Sequence, residues 1–230
     1  MDDRALAFVH ELEQADGAVA AVLTELDDLA RETETVCARA VELEAFLIRF
    51  PAERGRVATA LADAKRVADE RRAELGHAND ELAAAEQGRD AERLARARRV
   101  AGRVRDTARM AERKVESLES DSLRLEQDAA AAERETSDLE TQARTLAERL
   151  RTRSGLAEQA GAEPRPGLAG VSEWASGARA ALFVARGGLA REREALIRQA
   201  NELGAVVLGE PLTASSASTV ARRIERASEG

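Results

Sequence analysis

From Leu94 to Leu150 the chain alternates small or apolar residues with polar ones at spacings of three and four. One set is Leu94, Ala101, Ala108, Val115, Ser122, Ala129, Thr136, Ala143 and Leu150. The other is Ala97, Val104, Ala111, Leu118, Leu125, Ala132, Leu139 and Leu146. These are the a and d positions of a heptad sustained over roughly eight repeats, which predicts a coiled coil. No proline interrupts residues 52–153, so 51–153 reads as one long central helix, a spine on the order of 150 Å in length.

The earlier part of that spine has its own heptad. Leu61, Ala68, Leu75 and Leu82 alternate with Val57, Ala64, Arg71, Ala78 and Ala85. This register does not run on into the Leu94 series; it slips near residues 86–93, around Gly88, and Gly76 is a second weak point. A stutter in a continuous helix accounts for the slip, and a break with a second hairpin is the alternative.

Residues 1–50 form another heptad helix. Its stripes are Leu12, Val19, Leu26, Thr33, Ala40 and Leu47, and Phe8, Ala15, Val22, Leu29, Val36, Leu43 and Phe50. Proline disfavours the α region for the residue before it, so the FPAERG run at Pro51 predicts a tight turn and an antiparallel hairpin. That places Phe46 and Phe50 by the start of the spine and Phe8 near residues 93–100. Residues 154–170 are rich in Gly and Pro and read as a loop. A third helix over 171–203 carries Leu182, Leu189, Leu196 and Leu203, with a poor second stripe of Ala178, Ala185, Glu192 and Gln199. It ends on Gly209 and Pro211. A short amphipathic helix capped by Thr213 or Ser215 follows, with Val220 and Ile224 on one face, so residues 171–230 fold back on the spine. The fold expected is all-α: an elongated antiparallel coiled coil on one long central helix, with helices folding back from each end.

Composition agrees with that reading. Charged residues make up 34% and aromatics 2% of the 230 residues, too few aromatics for a broad globular core but typical of long helices. Arginine stands in for lysine almost everywhere, as GC-rich bacterial coding produces. The lone Cys37 excludes an intrachain disulfide. No apolar run reaches membrane-spanning length and the first residues lack a secretory pattern, so the expected location is cytoplasmic.

Charge is unevenly placed. Residues 1–50 carry twelve acids and four arginines, and Arg93–Lys114 carries nine positive and two negative residues. The arginines Arg93, Arg96, Arg98, Arg99, Arg103, Arg105 and Arg109 form a candidate strip for an anionic partner. The internal alternative is that the acidic N-terminal helix lies beside the strip and compensates it, with Asp2 and Asp3 reaching only its nearer end. Catalytic patterns are not found: no phosphate loop, no H-E-x-x-H, and no Cys–His pair. His10 and His77 fall on outer heptad positions, Cys37 sits beside the first helix's seam, and Trp174 anchors the third helix to the spine. We therefore expect no enzymatic activity, no catalytic or metal-ligating residues, no cofactor and no small-molecule substrate.

Residues 5–153 resemble, in their heptads, the arms of chromosome-segregation ATPases, which implies a nucleic-acid-associated architectural role. The hairpin of long helices is also similar to the phage-shock/ESCRT-III class, whose amphipathic first helix implies a membrane surface; MDDRALAFVHELE occupies that place here. The function expected from the residues themselves is a scaffold acting as an elongated spacer, with a protein partner or a homo-oligomer formed through the heptad seams. Nucleic acid and membrane surface are the alternative partners.

Overall fold

A computed structural model describes residues 3–88, 90–152 and 163–229. All regular structure among them is helical, at 93% of those residues, with no strand. The helices are α1 (Asp3–Gln87), α2 (Ala91–Arg151), α3 (Leu168–Leu208) and α4 (Ala217–Glu229). The expected loop at 154–170 lies outside the described residues through 162; residues 163–167 are non-helical. The chain divides into two compact units, one of residues 43–135 and one joining 1–42 with 136–230.

In the 43–135 unit α1 and α2 lie antiparallel. Ion pairs join Arg54 to Glu126 at 3.6 Å, Lys65 to Glu119 at 2.8 Å, Arg72 to Glu112 at 3.3 Å and Glu86 to Arg98 at 3.6 Å. As one residue number rises the other falls. The seam between them is the one the heptads mark: Val57, Leu61, Ala64, Ala68, Leu75, Ala78, Leu82 and Ala85 are all buried or half-buried, and Arg71 is exposed. Every a and d residue of α2 from Leu94 to Leu150 is likewise buried or half-buried.

Two expectations fail here. There is no turn at Pro51, which lies inside α1, and residues 51–153 are not one helix. The stripes of α1 keep the same seven-residue phase on both sides of the proline, from Leu47 to Leu61 and from Phe50 to Val57. Turning at residue 51 would forfeit that shared seam, whereas one absent N–H and a local clash cost about 3 kcal/mol. The rings of Phe46 and Phe50, 6.0 Å apart at i,i+4, brace the preceding turn. The chain reverses instead at the register slip. Gly88 bonds back to the Ala85 carbonyl at 3.2 Å, and Asp90 caps α2 by accepting the N–H of Glu92 at 3.0 Å and of Arg93 at 3.1 Å.

In the other unit the N-terminal part of α1 packs against α3, also antiparallel. Glu34 pairs with Arg179 at 3.1 Å, Asp27 with Arg186 at 2.5 Å and Asp16 with Arg193 at 2.7 Å. The end of α2 joins them through Arg149 and Glu32 at 2.5 Å, and Glu140 accepts the Gly167 N–H at 2.7 Å where α3 begins. Four acids of the first segment, Asp16, Asp27, Glu32 and Glu34, are therefore paired with α3 and α2 arginines. The basic strip has residues of α1 near Glu86 beside it instead, which corrects the internal compensation expected from the sequence. The expectation that Asp2 and Asp3 reach the strip lies outside the described side chains.

α3 ends where glycine permits it to end. Gly209 takes φ +72° and its N–H bonds the Ala205 carbonyl at 2.9 Å. The following segment doubles back along α3, with Asn201 exchanging two hydrogen bonds with the backbone of Ala214 at 2.8 and 3.0 Å. Ser216, one residue beyond the expected cap Ser215, accepts the Thr219 N–H at 3.3 Å. Val220 and Ile224 are fully buried on the inner face of α4, as their spacing predicts, in a cluster with Val9, Leu12, Ala200 and Leu212. A side chain at Gly204 would meet Leu212 at 2.5 Å and Val220 at 2.6 Å, so both would have to shift for this approach to admit anything but glycine. Phe8, expected on the seam, is 49% exposed and Val9 is buried in its place, because α3 and α4 cover that face of α1.

Candidate interaction surfaces

The candidate strip starts in the first turn of α2. Its seven arginines, Arg93, Arg96, Arg98, Arg99, Arg103, Arg105 and Arg109, are all exposed and cover about 24 Å of helix. Helical spacing puts Arg96, Arg99 and Arg103 on the side away from the α1 seam, together with Met110, which is 70% exposed. Arg109 is also on an outer position, and Arg93, Arg98 and Arg105 flank that seam. Arg98 pairs with Glu86; no ion pair joins the other six to any described residue. Near the helix start the strip is not purely basic, since Glu81, Asp90 and Glu92 line one shallow cleft with Arg93 and Arg96. The unopposed positive charge thus lies further along, at Arg99, Arg103, Arg105 and Arg109. Asp106 is the one acid among them.

Sequence reasoning missed the most closely tied polar group. Asp16 is 4% exposed. One carboxylate oxygen accepts from Arg193 Nε at 2.7 Å and the other from the Ala217 N–H at 3.0 Å. A side chain of α1 thus holds α3 by charge and supplies an acceptor to the first turn of α4, where anionic groups are favoured. Removing one member of such a buried set leaves the others unpaired, which is the costly outcome. Only the coincidence of an acid next to a heptad stripe with a distant arginine could have hinted at it, and many acids in this chain sit beside stripes.

The remaining candidates are structural in their surroundings. His10 lies 3.3 Å from Glu13 and 3.5 Å from Glu225, while His77 is exposed. Cys37 is buried, with Sγ 3.7 Å from Ser176 Oγ. Trp174 is buried at the start of α3, and its indole N–H has no hydrogen-bond partner among the described residues. Among the described residues no His, Cys, Asp and Glu cluster could hold a metal ion, and no helix is long and apolar enough to cross a membrane. The apolar residues left outward on α3 include Phe183 at 76% and Val184 at 64% exposure.

Compared with known proteins, the chain matches no family, no curated protein and no solved structure.

Proposed function

We propose that this protein is a non-enzymatic coiled-coil scaffold, a spacer that presents helix faces to protein partners. The observation that carries the reading is the division of labour along α2. Its a and d residues are buried or half-buried from Leu94 to Leu150, while the strip from Arg99 to Arg109 stands exposed without carboxylate partners among the described residues. Paired surface charges contribute about 0–1 kcal/mol to stability, so unpaired ones have little value to the fold and are free to meet an acidic protein surface. Since the heptad stripes meet each other within the chain, a partner would use the outer faces. Affinity capture from a lysate at low salt tests this. The expected result is one or more acidic proteins recovered by the wild type and lost with the Arg103→Gln/Arg105→Gln/Arg109→Gln variant.

A second reading, association with nucleic acid, is favoured by the same unpaired arginines. A duplex neutralised by them would bind with strong salt dependence. Titration of a duplex at 150 mM salt separates the two: sub-micromolar binding lost in the triple variant supports the nucleic-acid role, and weak or no binding supports the scaffold. Sedimentation with anionic vesicles tests a membrane surface in the same way.

A further inference from the structure

α3 uses one face completely. Val171, Trp174, Ala178, Ala181 and Leu182 are buried against the rest of their unit. On its opposite face a second three-four stripe runs through Glu173, Gly177, Ala180, Val184, Gly187 and Arg191, all exposed, with Phe183 at its flank.

Three features of this stripe have no use among the described residues. First, Gly177, Gly187 and Gly188 lie in the interior of a helix, where each glycine costs about 1 kcal/mol relative to alanine. Nothing stands within 4 Å of a Cβ built at any of them. Gly204 on the same helix is explained by the side chains that press on it; these three are not. Second, Phe183 and Val184 place large apolar side chains in water beside those glycines. Third, the charge order is directional: an acid at one end, Glu173, and a base at the other, Arg191. Among the described residues Glu173 is held only by Arg165 at 3.7 Å, with both side chains more than 70% exposed. Arg191 bonds the carbonyl of Gly187 at 3.1 Å and has no carboxylate partner among the described residues. The neighbouring Arg179 and Arg186 are already neutralised by Glu34 and Asp27, so they do not repel a like surface.

We propose that this outward face of α3 is an interface with a second copy of the chain, α3 against α3, antiparallel about a two-fold axis near residue 182. In that register Glu173 meets the second copy's Arg191, and the symmetry makes the pair twice. Gly177 meets Gly187 and Ala180 meets Val184. The glycines let the two backbones approach closely, and Phe183 and Val184 leave water. A parallel arrangement would set Glu173 against Glu173 and Arg191 against Arg191. A two-fold interface must be self-complementary, and the acid-to-base order of this stripe supplies that. The contact covers about five turns on each side, roughly 27 Å, at the small end of specific interfaces. The self-association is therefore weak and concentration-dependent.

The inference deepens the scaffold reading and rests on it. Analytical ultracentrifugation of the full chain from about 1 to 200 μM, a range suited to an interface of this size, is expected to show a monomer–dimer equilibrium. Val184→Glu, at an exposed position, should leave the helical spectrum unchanged and weaken the dimer roughly tenfold or more, because it buries an unpaired charge. Glu173→Arg and Arg191→Glu should each weaken it several-fold by facing like charges. Mixing those two single variants should restore association as a heterodimer, and the double variant should pair with itself again. A chain that stays monomeric throughout, a dimer indifferent to Val184→Glu, or charge variants not rescued by mixing would each overturn the proposal. In the monomeric case, capture of another protein would still uphold the scaffold, so the two failures are distinguishable.

Discussion

The two compact units are built from the same kind of helix but filled differently. In the unit of 43–135, six of the eight buried apolar residues are alanines: Ala68, Ala78, Ala85, Ala101, Ala108 and Ala132, beside Leu43 and Leu118. The other unit buries Leu26, Leu29, Leu150, Val171, Trp174, Leu182 and Ile224, and adds the Asp16 carboxylate. Burying a large aliphatic side chain contributes about 1.5–3 kcal/mol, and alanine offers far less. The first unit therefore depends on length, on many small contacts repeated every turn. The second depends on a few large side chains and on polar groups that fix which surfaces meet. One spreads its stability thinly, and the other concentrates it.

That contrast can be broken by single substitutions read through urea unfolding, with hydrogen exchange assigning the loss to a unit. The largest effect is expected from Leu182→Ala, which empties a fully buried site and should cost about 2–5 kcal/mol, confined to the 1–42/136–230 unit. A loss below 1 kcal/mol would mean that this core is no more concentrated than the alanine seam. Next is Pro51→Ala, which should stabilise the 43–135 unit by up to about 3 kcal/mol, by restoring an N–H and removing a clash inside α1. If residues 51–55 formed a turn, the same change would leave stability unchanged or lower it.

Asp16→Ala follows, at about 2–3 kcal/mol. This is below the range for fully buried pairs because Arg193 keeps 35% of its side chain in water. Exchange should accelerate first in α4, which loses its acceptor at Ala217. Asp90→Ala removes the cap of α2 and should cost about 1 kcal/mol, seen as fraying over the first turns after residue 90. The smallest effect belongs to Arg103→Gln/Arg105→Gln/Arg109→Gln, within about 0.5 kcal/mol, since none of the three is paired with a described residue. A larger loss there would mean that the strip serves the fold rather than a partner.

How much of this was legible depended on which local rule met the longer pattern. The stripe of α2 was readable residue by residue because over residues 94–135 its faces are simple, one neighbour inside and water outside. The slip at Gly88 was readable as a loss of phase, but a stutter and a reversal give the same loss, so the reversal stood only as the alternative. The error at Pro51 came from letting one residue's propensity override a register that continues through it: Leu47 to Leu61 is two heptads, and Phe50 to Val57 is one. The glycine stop at Gly209 was legible because it acts locally. Phe8 and Asp16 were not legible, because their environments are made by α3 and α4, elements nearly the whole chain away. The strip's exposure followed from heptad position, but its true neighbour, near Glu86, depended on where the chain turns.

The bond between Asp16 and the first turn of α4 also sets a timetable. It joins groups 201 residues apart, whereas residues 43–135 are continuous and can zip together from the reversal at Gly88. At roughly 5–20 residues per second of synthesis, the first helix must wait about 10–40 s for α4 to emerge. During that interval Leu12, Leu26 and Leu29 have no completed surface to close on. The nascent chain thus carries a folded middle and an unsatisfied stripe before it, and the sticky stripe of residues 3–42 is the part most in need of a chaperone.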